Sequence, residues 1–168
     1  MALKAANSSI NDRTVIVPEG NYYMGAIAAY GLHDVTIQIE GKILFSDHFS
    51  VWGTESESMM LCEDCSGINL RGNGVLDGQG LAWWRLAYLG KDIRPKLVRF
   101  RRCLDIVVQD LTFRNSPTFH VIFEDSRNVI IHDIEIFVDS HVTRGRDHHD
   151  SVTYPLNTDG LDLRVVNA

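Results

Sequence analysis

The sequence predicts an all-β solenoid, a parallel β-helix in which short strands stack coil upon coil, and three observations predict it. First, Ile106, Val108, Leu111 and Phe113 place apolar side chains at offsets 0, 2, 5 and 7, and Val129, Ile131, Ile134 and Ile136 repeat those offsets 23 residues later. Second, Ile68, Leu70 and Val75 fit three of the four offsets in an earlier copy. Third, each of the two full copies is broken in the middle by a polar pair, Gln109-Asp110 and His132-Asp133, where a bend would fall. Two short strands per repeat cannot bury an inward face alone, but stacked repeats can. A β-sandwich competes for the same pattern, yet it calls for longer strands than these.

Taken in order, Ala2 to Ala6 has helix propensity and ends at the breaker Asn7-Ser8-Ser9, so it reads as the last turns of a helix. Thr14-Val15-Ile16-Val17 is a β-branched strand stopped by Pro18-Glu19-Gly20. Val35 to Ile39 alternates apolar and polar, and Lys42 to Phe45 continues as a second short strand. Leu81 to Leu89, with Trp83-Trp84 and a closing Gly90, reads as a helix inserted between coils. Residues 140–153 read as a polar loop bulging from the stack.

The composition narrows the function. A chain of 168 residues, 45% hydrophobic, can form a real core. Its net charge of −6 argues against nucleic-acid and polybasic membrane roles, and no apolar run approaches the ~20 residues of a membrane span. Three cysteines, Cys62, Cys65 and Cys103, are too few for a disulfide scaffold; no second Cys or His pair completes the Cys62–Cys65 spacing, so they read as buried small side chains. Asp147-His148-His149-Asp150 holds metal-ligand residue types, but adjacent residues rarely converge on one ion, and no metal or cofactor is expected.

Chemistry concentrates in Asn157-Thr158-Asp159-Gly160. On an extended segment, an Asn and an Asp two apart share a face, and the Gly admits a sharp turn or a close ligand. An amide beside a carboxylate can bind a sugar hydroxyl and move a proton. The plain alternative is an Asx turn closing a loop.

Three motifs then carry a resemblance. Gly72-Asn73-Gly74-Val75-Leu76-Asp77-Gly78-Gln79-Gly80 with Trp83-Trp84, then Asn115-Ser116-Pro117-Thr118-Phe119-His120, then Asn157-Thr158-Asp159-Gly160-Leu161-Asp162 resemble, in order, motifs of the polygalacturonase family of pectin-cutting glycoside hydrolases. The resemblance implies a right-handed parallel β-helix. It implies inverting hydrolysis of α-1,4-galacturonosyl linkages, with one carboxylic acid protonating the leaving oxygen and another carboxylate activating water on the opposite face. By resemblance Asp159 is one catalytic aspartate and Asn157 borders the cleavage subsite. Asp162 is carried over as a substrate-binding position, and so is His120, which reads equally as a satisfied histidine inside the coil. The substrate would be a pectin or polygalacturonate polysaccharide, and the protein an extracellular monomer when full length.

The family's later Asp-Asp, Gly-His-Gly and Arg-x-Lys motifs do not follow Asp162 here, and Arg94-Pro95-Lys96 lies before it. Residues 1–168 are therefore expected to be one incomplete β-helix domain, the first coils of a longer catalytic domain, inactive and poorly expressed alone. The alternative is a non-catalytic β-helix that binds polysaccharide. Trp83 and Trp84 are expected to pack in the core rather than stack on sugar. Arg99, Arg101 and Arg102 are expected on an outward strand face, solvated or meeting an anionic polysaccharide. Asp77 and Gln79 are expected to satisfy backbone groups in a tight bend.

Overall fold

The computed structural model describes residues 2–52, 57–91, 93–139, 155 and 157–165. Helix α1 (Ala2–Ser8) leads into strands β1 (Thr14–Val17), β2 (Asn21–Met24), β3 (Ile27–Tyr30), β4 (Thr36–Ile39) and β5 (Lys42–Phe45). There follow β6 (Ser58–Glu63), β7 (Ser66–Arg71), β8 (Val75–Asp77), helix α2 (Leu81–Tyr88), β9 (Lys96–Arg101), β10 (Leu104–Gln109) and β11 (Thr112–Arg114). The described residues close with β12 (Val121–His132), β13 (Glu135–Phe137) and β14 (Leu161–Val165). Every strand pairing is parallel, between corresponding strands of successive coils. The chain is a parallel β-helix.

Each coil contributes three strands, not the two that the repeat suggested. The first sheet stacks β1, β4, β7, β10 and the second half of β12; the second stacks β2, β5, β8, β11 and β13. The third stacks β3, β6, β9, the first half of β12, and β14. Within β12 the third strand runs into the first with only a register irregularity between Glu124 and Ser126 and a left-handed Asp125 (φ 50°) between them. No Gly or Pro marks that corner.

The period read from the sequence is the register of the stack. Ile68, Ile106 and Val129 align, as do Leu70, Val108 and Ile131, and Phe113 aligns with Ile136. One position differs: Phe113 pairs with the fully buried Leu76, not with Val75. The bend Gly72-Asn73-Gly74 is one residue longer than the later bends, which shifts the next strand by one. Left-handed residues recur at the corners of successive coils, at Asp64, Arg102 and Asp125, and again at Asp110 and Asp133. Short polar side chains tolerate that conformation, which explains the polar pairs in mid-repeat.

Inside the coil the apolar columns close into one core, with Phe100 and Phe123 stacked at 5.1 Å between ring centroids. Trp83 meets the edges of Phe49 and Trp52, and Trp84 donates its indole N–H to the Ser116 carbonyl, so both tryptophans are core residues. Helix α2 stops at Gly90 (φ 82°), whose N–H bonds Ala87 while that of Lys91 bonds Leu86, a Schellman closure.

The three cysteines are buried and free, but two of them do more than fill space. Cys65 donates to the Glu63 and Ala29 carbonyls, Cys103 to those of Arg101 and Cys62, and Ser126 to those of Glu124 and Phe100. Each bonds the carbonyl two residues back and one in the preceding coil, so the three form an internal ladder along one corner. Contact with Cys65, then burial, raises the Cys62 and Cys103 thiols and keeps them protonated. Cys103→Ser, the residue already present one coil on, is expected to change stability by less than about 1 kcal/mol. Cys103→Ala is expected to cost about 1–2 kcal/mol, a fall in Tm of roughly 2–8 °C by thermal unfolding.

Candidate active site

Asn157-Thr158-Asp159-Gly160 is a turn leading into β14, not part of a strand. Asn157 is left-handed (φ 53°) and regular pairing begins only at Leu161 opposite Val121. Strand alternation therefore does not place Asn157 and Asp159, as the sequence reading assumed; the turn does, and it leaves both side chains exposed. A Cβ on Gly160 would lie 3.1 Å from Ile136 Cδ1, so the backbone there lies close against the second sheet.

What fixes the turn is His120. Its ring has no exposed surface and its backbone N–H donates to the Asp159 carbonyl at 3.0 Å, while Nδ1 lies 3.1 Å from the same oxygen. Nε2 is 3.3 Å from the Ser116 N–H, which makes it an acceptor. The ring is then the neutral tautomer with its proton on Nδ1, donating to Asp159 O. Burial, opposed by the hydrogen bonds to Asp159 and Thr158, holds its pKa below the ordinary 6.5. This corrects the reading of His120 as a sugar contact: no sugar reaches a ring sealed on both nitrogens by backbone. Val121 N–H adds a bond to Gly160 O at 3.1 Å. Asp159 is an exposed carboxylate on a backbone held from inside the coil.

Ser116 and its neighbours explain the rest of that motif. Ser116 donates to Phe119 O at 2.7 Å, Thr118 to Pro95 O at 3.0 Å, and Arg94 to Pro117 O at 3.2 Å. Arg94, buried against this loop, is part of the scaffold. Asp77 accepts from Gln79 N–H at 3.0 Å, and Gln79 donates to Phe45 O at 2.6 Å, as expected for a bend that satisfies itself.

Asp162 lies in the outward column of the third sheet, in register with Ile122, Arg99 and Leu61, and its carboxylate pairs with Arg164 at 3.1 Å. The arginines on this face are neither free nor merely solvated. Arg99, 8% exposed, bonds Glu124 and Glu57; Arg101 grips Glu63 with two bonds of 2.9 and 2.6 Å. Arg102 bonds Asp64 at 2.8 Å and also Glu63. The hydrogen bond from Arg101, opposed by burial and reinforced by Arg102, holds Glu63 below the usual carboxylate range. The sequence reading named the arginines and missed their partners. Part of the signal was there: Glu124 stands one coil from Arg101, in register with it, and gives its carboxylate to the neighbouring Arg99. No group of three or more metal-ligating side chains converges among the described residues, and residues 147–150 lie outside them.

Residues 7–167 match the model of Glycosyl hydrolases family 28. A polygalacturonase of Persea americana is 30% identical over 76% of this chain and 29% of that protein, and an exopolygalacturonase of Cochliobolus carbonum is 29% identical over 95% and 36%. The chain thus spans about a third of the length of these curated relatives. In fold it is similar to the endo-xylogalacturonan hydrolase of Aspergillus tubingensis (TM-score 0.77, 24% identity, 90% of this chain and 41% of that one). It is also similar to the polygalacturonase of Erwinia carotovora (TM-score 0.76, 18% identity, 98% and 49%), and with these neighbours the solenoid is a right-handed β-helix. With 7–167 matched and the coils in register, this chain belongs to glycosyl hydrolase family 28.

Proposed function

We infer that these residues form part of an extracellular pectin-degrading hydrolase acting on α-1,4-galacturonosyl linkages, with Asp159 as one of its reacting carboxylates. The observation that carries the reading is an exposed carboxylate whose backbone oxygen takes two bonds from a fully buried histidine. Pre-positioning of this kind is what proton transfer to a glycosidic oxygen requires. Asn157, exposed in the same turn, would hydrogen-bond a sugar hydroxyl. Asp162, paired with Arg164, orients substrate rather than exchanging protons.

Inversion needs a second carboxylate, about 6.5–9.5 Å from the first with a water between them. The test joins residues 1–168 to the later coils of the Persea americana polygalacturonase and measures reducing-end release from polygalacturonate. Turnover is expected, with Asp159→Asn lowering kcat at least about a hundredfold and KM little changed. A folded wild-type chimera that releases nothing, or an Asn variant as active as wild type, overturns the reading.

A further inference from the structure

One register position at the start of the third-sheet strands stays open on three successive coils, and it is the position of Asp159. Leu97 N–H donates to Phe119 O and His120 N–H to Asp159 O, the regular parallel pattern, so Lys96, Phe119 and Asp159 stand in one column. Each is more accessible than its chain neighbours. Half-buried Lys96 lies between buried Pro95 and Leu97, half-buried Phe119 between buried Thr118 and His120, and exposed Asp159 between half-buried Thr158 and Gly160. The column closes one coil further back at Ser58, which is 7% exposed. With coils about 4.8 Å apart, a carboxylate, an aromatic ring and an ammonium follow one another over about 10 Å of the stack.

Lys96 differs from the arginines of the same strand and its corner. Arg99 holds Glu57 and Glu124, Arg101 holds Glu63, and Arg102 holds Asp64 and Glu63. Lys96 has no ion-pair partner among the described residues. Glu57 stands beside it on the preceding coil, but that carboxylate accepts from Arg99 instead. A half-buried ammonium without an internal counter-charge favours an anion brought by a ligand. As a point charge on a flexible stem, it meets a carboxylate without needing bidentate alignment. A glycan seated at Asp159 and running back along the stack lays the C–H face of one sugar on the Phe119 ring and brings the next to Lys96. We propose that Lys96 binds the carboxylate of a uronate unit two coils back from Asp159 and so specifies an acidic sugar at that position. The proposal rests on the carbohydrate reading above.

The experiment measures the affinity of the 168-residue chain for α-1,4-linked trigalacturonate and for the uncharged α-1,4-linked galactotriose at low ionic strength. Wild type is expected to bind trigalacturonate at least about fivefold tighter, and the difference to shrink in high salt. Lys96→Gln is expected to lose that difference by weakening the acidic trimer alone, whereas Lys96→Arg, which keeps the charge, retains most of it. Circular dichroism on the same samples reports folding. Lys96→Met, which keeps the stem and drops the charge, answers the same question should the Gln variant not fold. Equal affinity of wild type for the two trimers, undiminished selectivity without the charge, or an equal loss for both trimers overturns the proposal and leaves the hydrolase reading intact. Binding of neither trimer overturns it as well, and turnover by the chimera then decides whether the hydrolase reading falls with it.

Discussion

Gly72→Ala is expected to cost more than about 4 kcal/mol and to lower Tm by roughly 8–16 °C or abolish cooperative unfolding. A Cβ there would sit 2.1 Å from Ile39 O, 2.7 Å from Ile39 C and 2.8 Å from Ile39 N, with φ at +124°. All three atoms are backbone of the preceding coil, so no rotamer change relieves the clash, and the coils must separate along their hydrogen-bonded direction. Gly31→Asn supplies the control. Gly31 is also left-handed (φ 59°), but nothing lies within 4 Å of its Cβ position, and Asn tolerates that conformation. A loss under about 1 kcal/mol is expected there. Equal losses at the two sites would show that backbone conformation, not coil contact, sets the cost. Thermal unfolding of both variants decides it.

His120→Ala is expected to cost about 3–5 kcal/mol, because it opens a cavity and orphans the Ser116 N–H. The second consequence is functional: the Asp159 carbonyl loses its ring bond, so the turn is no longer held in one position. In the chimera, His120→Gln, which keeps an acceptor and a donor on a side chain of similar reach, is expected to recover part of kcat that Ala loses. A group that only filled space would be rescued better by Leu. The pH dependence follows from the depressed pKa. Because the folded ring binds a proton less readily than the unfolded one, wild-type stability is full above 6.5 and falls as pH drops toward the depressed folded value. His120→Gln removes that slope from a series of urea melts between pH 7 and 5.

The apolar period made the first and second sheets legible, because inward side chains recur at the same offsets in each coil and nothing but stacking satisfies them. The third sheet was hidden for a physical reason. In β12 it continues into the first without a glycine or proline, and in β6 (Ser58–Glu63) the run Met59-Met60-Leu61-Cys62 is apolar throughout, so no alternation marks its inward side chains. The one-residue slip at Val75 has the same origin. A longer bend, Gly72-Asn73-Gly74, looks like any other bend until its stacking partner is known.

At the candidate site, Asp159 and Asn157 stand out in the sequence by residue type and motif, but extended alternation gives them the wrong backbone. Extended alternation was assumed where Asn157 is left-handed. His120 was legible as a motif residue, and its two readings were separated only by burial, which depends on a contact made 39 residues along the chain. The stacking of Arg101 on Glu124 was legible in principle, since one coil's spacing separates them. Within a single strand the sequence does not show which side chain of the next coil lies beside it, so the contact stays hidden until the register is known.

As a reacting carboxylate, Asp159 requires a site that delivers water from the opposite face of the bond. Proton NMR of the first turnovers of the chimera on polygalacturonate tests it most directly, run beside Asp159→Asn. The predicted result is the β-anomer appearing first from the α-linked substrate, with the Asn variant silent on the same timescale. An α-anomer appearing first, or the same signal from the Asn variant, would contradict it.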